Sequence, residues 1–278
     1  MRARLAIVFL SLALSSAADT PESPAASTND LPPADEVIRR LLERTAQKAS
    51  QQPHGARMFY RTNITEEFNS KGRLVQREEL LLRVIVRNGE HEVELLEING
   101  QPPTDKERER ELKRFGGPPR EGPANRERPD RSRQLEAYFT EELLGRYAFT
   151  VTGREDIDGR PCLRVEFQPG GGVAGSNKLF ERVLDRLGGV FWIDEGDHQL
   201  ARADLALLEK VSLWGGLLGA LEQLHLRIDR TRDQAGQWRD HAIEARFAGR
   251  AVARQINVRT RDLSSTPEPI LTEVVAAE

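Results

Sequence analysis

The chain has 278 residues, a formal net charge of −3 and a single cysteine, Cys162. The near balance of charge provides no overall basic field for nucleic acid or anionic lipid, and one cysteine excludes an intramolecular disulfide. We therefore expect a fold that is stabilised by its core alone, and no nucleic-acid partner.

The first eighteen residues have the composition of a secretory signal peptide. Arg2 and Arg4 precede an apolar stretch over 5–14, and small residues follow up to Ala18. The stretch is shorter than the ~20 residues that span a bilayer, so a membrane anchor is the weaker alternative. We predict a signal peptide over 1–18 and an exported, soluble mature protein.

Residues 19–33 are rich in Pro, Ser, Ala and Thr, which predicts a flexible linker. The next segment, 34–50, has apolar residues at helical spacing and charged residues on its other face, which predicts a helix that covers a sheet. We place one β domain over 34–265 and a C-terminal tail over 266–278. The apolar positions of the predicted helix are Val37, Ile38, Leu41 and Leu42.

Alternation with a period of two begins at Arg57. Even-numbered positions are mainly apolar, whereas several odd ones are charged, for example Arg83 and Arg87. Since side chains alternate across a strand, we predict a hairpin with one apolar face and one solvated face. Asn88 and Gly89 then predict a tight turn into a third strand. The mainly apolar even positions are Met58, Tyr60, Ile64, Leu74, Leu80, Leu82, Val84 and Val86.

Residues 104–133 interrupt the strands with a charged, Gly- and Pro-containing segment. Ten basic and seven acidic residues over 105–133 leave it nearly balanced. A nucleic-acid arm needs a denser basic run with stacking aromatic residues, so we predict a solvated, partly disordered excursion. After it, apolar residues between Leu135 and Leu144 follow a helical stripe, which predicts a second covering helix.

Strand patterns resume at Tyr147 and continue to Leu263, separated by short turns. The segment WGGLLGAL, residues 214–221, breaks the alternation, and it is either a bulged hairpin end or a mobile apolar lip. About ten strands with short links predict an antiparallel sheet, and an open sheet of this width curls. The predicted fold is mainly β (α+β): a curved antiparallel sheet that forms a half-barrel with covering α-helices.

The reactive side chains form no catalytic or metal-binding pattern. The five histidines lack metal-ligand spacing, no nucleophile elbow occurs, and Cys162 lies in a predicted strand with charged neighbours on its own face. Only three Trp and three Tyr are present, too few to favour a carbohydrate cleft. We therefore predict no enzymatic activity, no cofactor and no metal.

The order of these elements resembles the LolA/LolB-like superfamily, which includes outer-membrane lipoprotein-sorting proteins and sensor-type RseB N-terminal domains. The resemblance covers most of the mature chain and is most specific in ADEVIRRLLER, GGVFWIDEGDHQLARADLALLEKVS and WGGLLGAL. It implies an unclosed β-barrel with a helical lid over a hydrophobic cavity, which carries or senses lipoprotein acyl chains in the periplasm. No lipobox cysteine follows the predicted signal peptide. In this respect the chain is more similar to the soluble carriers of the superfamily than to its membrane-anchored acceptors.

The expected function is a periplasmic lipid or lipoprotein carrier that binds acyl chains. The alternative is a cell-envelope sensor or protein-interaction module whose barrel is plugged by its own helices. Charges on the predicted outer face argue against a membrane-spanning protein after leader removal. The candidate cavity-wall residues are apolar positions on the predicted inner face: Met58, Tyr60, Leu80, Leu82, Val84, Phe149, Val151, Val165, Phe167, Trp192, Leu205, Leu207, Leu226, Ile228 and Phe247.

Overall fold

A computed structural model provides the structure of the protein. It describes residues 31–50, 57–87, 90–115, 140–170, 179–213, 219–233, 236–251, 254–266, 268 and 269. The predicted signal peptide, most of the linker, most of the second covering helix and much of the charged excursion lie outside these residues.

The described residues form short helices and a large sheet. The helices are α1 (Ala34–Ser50), α2 (Asp105–Phe115), α3 (Glu141–Leu144) and α4 (Leu179–Leu184). The first strands are β1 (Arg57–Phe68), β2 (Leu74–Arg87), β3 (Glu90–Ile98), β4 (Tyr147–Ile157), β5 (Arg160–Pro169) and β6 (Leu187–Asp194). The remaining strands are β7 (Leu200–Leu207), β8 (Val211–Leu213), β9 (Gly219–Arg232), β10 (Trp238–Ala251), β11 (Arg254–Ser264) and β12 (Glu268–Pro269).

All twelve described strands belong to one antiparallel sheet. Its main path runs β3-β2-β1-β11-β10-β9-β7-β6-β5-β4, with β12 paired to β1 and β8 paired to β9. Among the described strands, β3 and β4 form the two edges of this path and do not pair with each other, so the sheet is open. The predicted fold class, a mainly β, unclosed antiparallel sheet with helices, is confirmed.

Strand alternation creates an apolar row across half of the sheet. Val165, Phe191, Ala203 and Ile228 are successive cross-strand partners on β5, β6, β7 and β9. Residues directly opposite each other in antiparallel strands point to the same face, and all four are buried. We call the face that carries this row the inner face.

The register of β1 differs from the predicted one. Val84 of β2 is paired with Phe59, whereas Tyr60 is paired with Arg83. Odd positions of β1 therefore share the inner face with even positions of β2, and the prediction that even positions of both strands line one face is wrong. Beside the turn, Phe68 is opposite Leu74, as the even parity predicts, but the register shifts by one residue between Phe68 and Glu67. This β-bulge decides the parity, because a one-residue slip moves every side chain to the other face.

Helix α1 begins as its sequence predicts. The carbonyl of Pro33 accepts hydrogen bonds from the backbone N–H groups of Glu36 (3.1 Å) and Val37 (3.2 Å). Asp35 and Glu36 place negative charge in the first turn, where it interacts favourably with the helix dipole.

No described helix is long and apolar enough to cross a membrane.

The excursion and the tail each contribute one element. In α2, Thr104 and Glu107 form a capping box, in which Glu107 accepts from the Thr104 backbone N–H at 2.9 Å. In the predicted tail, the short strand β12 pairs with the start of β1, where Arg57 is opposite Pro269. The sheet therefore receives a short strand from residues placed beyond the predicted domain.

Candidate functional site

Nine of the candidate wall residues come together on the inner face of β4, β5, β7, β9 and β10. Six are buried members of the largest apolar cluster, and three pack against that cluster as half-buried side chains. We call these nine residues the apolar floor. They are Phe149, Val151, Val165, Phe167, Leu205, Leu207, Leu226, Ile228 and Phe247.

Helix α1 covers this floor. Its apolar stripe, Val37, Ile38 and Leu41, belongs to the same buried cluster, and Leu41 is fully buried. The opposite side of the helix is exposed and carries Arg39, which forms an ion pair with Glu43 at 2.6 Å. The floor is therefore covered by an amphipathic helix, which begins directly after the predicted linker over 19–33.

Aromatic rings fill the part of the floor nearest β4. The rings of Phe167 and Phe191 stack with centroids 4.6 Å apart, and Tyr147 contacts Phe167 edge-on at 5.2 Å. The Tyr147 hydroxyl donates a hydrogen bond to the Leu184 carbonyl at 2.9 Å. Burial raises the pKa of Tyr147 to about 12, so the phenol stays neutral and acts as a packed, hydrogen-bonded group.

Leu80, Leu82 and Val84 also lie on the inner face but away from the floor. Leu80 and Leu82 form a second buried cluster with Leu95 of β3. Val84, also buried, is opposite Phe59. The sequence analysis placed these residues in one wall with the floor, whereas the structure divides the inner face into two apolar regions.

A polar pair marks the division. Asn63 of β1 and Asp262 of β11 are cross-strand partners on the inner face, and the Asn63 side-chain amide donates to Asp262 Oδ1 at 2.9 Å. In the same row, Asn63 is opposite Leu80 on one side and Asp262 is opposite Ile243 on the other. Neither residue of the pair was a candidate, because Asn63 is at an odd position of β1 and the odd positions were predicted to face solvent.

Met58, Tyr60 and Trp192 are on the outer face and are not brought to the floor. Tyr60 is 41% exposed, and Met58 is opposite Ile85. Trp192 alternates with Phe191, and its indole N–H donates to Glu155 at 2.8 Å. In β1 and β6, apolar residues occur at both odd and even positions, so alternation alone did not show which side chains point inward.

Asp194, at the end of β6, is a buried ionic centre that the sequence analysis missed. Arg160 donates two hydrogen bonds to its carboxylate, both at 2.8 Å, and the backbone N–H of Gly196 and the indole of Trp238 also donate to it. Burial by itself raises the pKa of Asp194, but these donors outweigh burial and the pKa is lowered. The carboxylate fixes the turn between β6 and β7.

His225 lies on the outer face of β9, where it alternates with the buried Leu224 and Leu226 of the inner face. It is itself buried and contacts Asp204 through Nε2. Burial and the nearby charges of Arg246 and Arg227 lower its pKa to about 4. Asp204 opposes this shift because a carboxylate stabilises an imidazolium, yet burial raises the pKa of Asp204 as well. The imidazole is neutral at pH 7.

A cavity of about 380 Å³ opens beside the N-terminal end of α1. Its apolar walls are Leu31, Pro32, Val37 and Leu163, and its polar walls are Glu36, Arg40, Arg154, Glu195 and His198. We call it the entry pocket. None of its residues was a candidate in the sequence analysis, because they come from α1, β4, β5 and the turn between β6 and β7, which are far apart in the chain.

Among the described residues, no group of three or more His, Cys, Asp or Glu side chains is placed to hold a metal ion. Cys162 is buried, and burial raises its pKa to about 12. The thiol therefore stays protonated and is a poor nucleophile.

No protein-family model matches this chain, and no curated protein matches it. Solved structures do match over most of its length. A LolA superfamily protein from Nitrosomonas europaea is 10% identical, with 89% of this chain and 99% of that chain covered and a TM-score of 0.32.

Two further matches have similar statistics. A Vibrio parahaemolyticus domain assigned as an outer membrane lipoprotein-sorting protein is 13% identical, covers 88% of this chain and 95% of its own, and has a TM-score of 0.31. The MucA/MucB complex of Pseudomonas aeruginosa is 10% identical, with 85% and 99% coverage and a TM-score of 0.23. The LolA and lipoprotein-sorting names are those of the family that the sequence resembles.

Proposed function

We propose that this protein is a non-enzymatic, periplasmic binding protein that takes the acyl chains of a lipid or lipoprotein onto the apolar floor, with α1 as a movable lid. The observation that best supports this proposal is the broad apolar surface of the floor, which one amphipathic helix covers. The predicted signal peptide supports the periplasmic location.

The apolar burial lost and gained in such an exchange is of similar size. Lifting α1 exposes three apolar side chains, Val37, Ile38 and Leu41, at a cost of roughly 6 kcal/mol in total. An acyl chain that buries about ten CH₂ groups gains roughly 8 kcal/mol at about 0.8 kcal/mol per group. A ligand with about ten buried apolar groups therefore replaces the burial that α1 loses, and one with far fewer groups does not.

The test is lipid binding by protein purified without detergent from cells that express the full chain. Native mass spectrometry should detect co-purified lipid, and a fluorescent fatty acid should bind. If neither occurs, the carrier function is wrong.

The variant Leu41→Ala tests the lid. It should lower the free energy of unfolding by about 3 kcal/mol and increase the affinity for the fluorescent fatty acid, because the helix competes less well for the floor. Arg39→Ala, on the exposed side of the same helix, is the control and should change neither quantity. A destabilised Leu41→Ala variant that still binds no fatty acid would indicate that α1 is a permanent part of the core.

A second candidate function is a protein-interaction module with a permanently filled interior. The close ring stacking of Phe167 and Phe191 under α1 favours it, because the rings leave little room in that part of the floor. In that case crosslinking in the envelope should recover a defined protein partner, and the purified protein should contain no lipid.

A further inference from the structure

The entry pocket joins charged walls to the apolar floor. Val37 and Leu163 line the pocket and are also buried members of the floor's cluster. The pocket and the floor therefore adjoin at these two side chains. A molecule with its apolar part on the floor would have its polar part in the pocket, beside the first turns of α1.

Two ion pairs from different walls supply the charges. On α1, Arg40 forms a pair with Glu36, and across the pocket Arg154 of β4 forms a pair with Glu195 of the turn after β6. The formal charges of these four groups cancel, +2 from the guanidinium groups and −2 from the carboxylates. Each wall thus presents one cation and one anion.

From this pattern we infer that the entry pocket binds a phosphoethanolamine group, the zwitterionic head of a phospholipid whose acyl chains lie on the floor. The inference rests on the proposed function. A guanidinium group binds phosphate oxygens with directed hydrogen bonds, and a carboxylate accepts from an ammonium group. A purely anionic head would draw Arg40 and Arg154 away from Glu36 and Glu195 and offer these carboxylates no cation in exchange, and a purely cationic head would do the reverse.

Exchange of partners costs little in this pocket. All four charged side chains are partly exposed, from 29% for Glu195 to 45% for Arg40. Ion pairs of this kind contribute about 0–1 kcal/mol each, so the ligand's phosphate and ammonium replace weak contacts. Inside a pocket with apolar walls the new contacts are less screened than the original ones.

The experiment compares lipids that differ only in their heads and whose two hexanoyl chains together supply about ten apolar carbon groups, the number that replaces the burial of α1. Isothermal titration of the purified protein with dihexanoyl phosphatidylethanolamine should give at least a tenfold lower Kd than titration with dihexanoyl phosphatidylglycerol. Free phosphoethanolamine, without acyl chains, should bind at least tenfold more weakly than the lipid that carries it.

The variant Glu195→Gln removes the carboxylate that faces the ammonium group and should reduce the preference between the two lipids to threefold or less. The control is Glu94→Gln, since Glu94 also forms an ion pair with an arginine, Arg83, but on the other edge of the sheet. It should keep the full preference. If Glu195→Gln does not fold by circular dichroism, Glu36→Gln on the exposed helix should show the same loss.

Each outcome has one meaning. Equal affinity for the two lipids, or an unchanged preference in both pocket variants, overturns the head-group inference and leaves acyl-chain binding intact. Equal affinity for free phosphoethanolamine and the lipid overturns the lipid as the source of the group. Failure of both lipids and of the fluorescent fatty acid to bind overturns the proposed function, and the head-group inference with it.

Discussion

The two apolar regions of the inner face differ in what surrounds them. The floor, on β4, β5, β7, β9 and β10, shares its buried cluster with α1. The second region, Leu80, Leu82 and Leu95 on β2 and β3, forms a smaller cluster of its own. Between them, the pair of Asn63 and Asp262 interrupts the apolar surface. The sheet is continuous, but its inner face therefore provides two separate apolar surfaces, and only the floor adjoins the entry pocket.

The largest expected effect separates the two regions by mutation. Phe167→Ala should lower the free energy of unfolding by about 4 kcal/mol, because it removes the stack with Phe191 and the edge contact with Tyr147. It should also weaken fatty-acid binding. Leu82→Ala, in the second region, should cost about 3 kcal/mol and leave binding unchanged. Urea unfolding and fluorescence titration measure both; equal effects on binding would mean that the regions act as one surface.

The next effect concerns the buried ionic centre at the end of β6. Asp194→Ala should cost about 3 kcal/mol, since it leaves Arg160 and the indole of Trp238 without their buried acceptor. The lowered pKa of Asp194 means that its contribution is present above the unfolded pKa of about 4 and is lost as pH falls through the folded value. Urea midpoints at pH 7 and pH 3 should differ less in the variant than in the wild type.

A third effect, also in the floor strands, depends on pH through His225. Its folded pKa of about 4 lies below the ordinary histidine pKa of 6.5, so the neutral ring stabilises the fold fully above pH 6.5 and this stabilisation is lost as pH falls from 6.5 towards 4. Replacing His225 with Gln should remove roughly 3 kcal/mol of this pH dependence. Thermal unfolding between pH 4 and 7 measures it, and an unchanged slope would place the titration elsewhere.

The smallest expected effect lies at the boundary between the regions. Asn63→Ala should cost about 1 kcal/mol because Asp262 loses its hydrogen-bond donor. The double variant Asn63→Leu with Asp262→Leu should recover this loss, since two apolar neighbours replace a polar pair. A double-mutant cycle with urea unfolding gives the coupling energy, and a value near zero would show that the pair does not stabilise the boundary.

Local pattern predicted much of this structure. The helical spacing of Val37, Ile38 and Leu41 predicted a covering helix, and all three side chains are buried in the core. The alternation of Val165 and Phe167 predicted their shared face, and both belong to the floor. These predictions succeeded because burial of one face selects the periodicity within a single element.

The orientations of Tyr60 and Trp192 were not predictable in the same way. In both strands the two parities carry apolar residues, so alternation alone does not identify the inner face. The decision comes from the partners: Tyr60 is opposite Arg83, and Trp192 is opposite Arg164 and Arg202. Pairing register is a property of two strands together, and neither strand specifies it alone.

By itself, the sequence determined the class of fold, the covering helix and the absence of a disulfide, because these depend on periodicity within an element and on the count of one residue type. The tertiary structure alone decided which residues meet. Asn63 and Asp262 are separated by 199 positions, and the entry pocket combines four separate elements. Contacts of this kind arise from long-range strand pairing, so the division of the inner face and the charged pocket beside the floor became visible only in the folded chain.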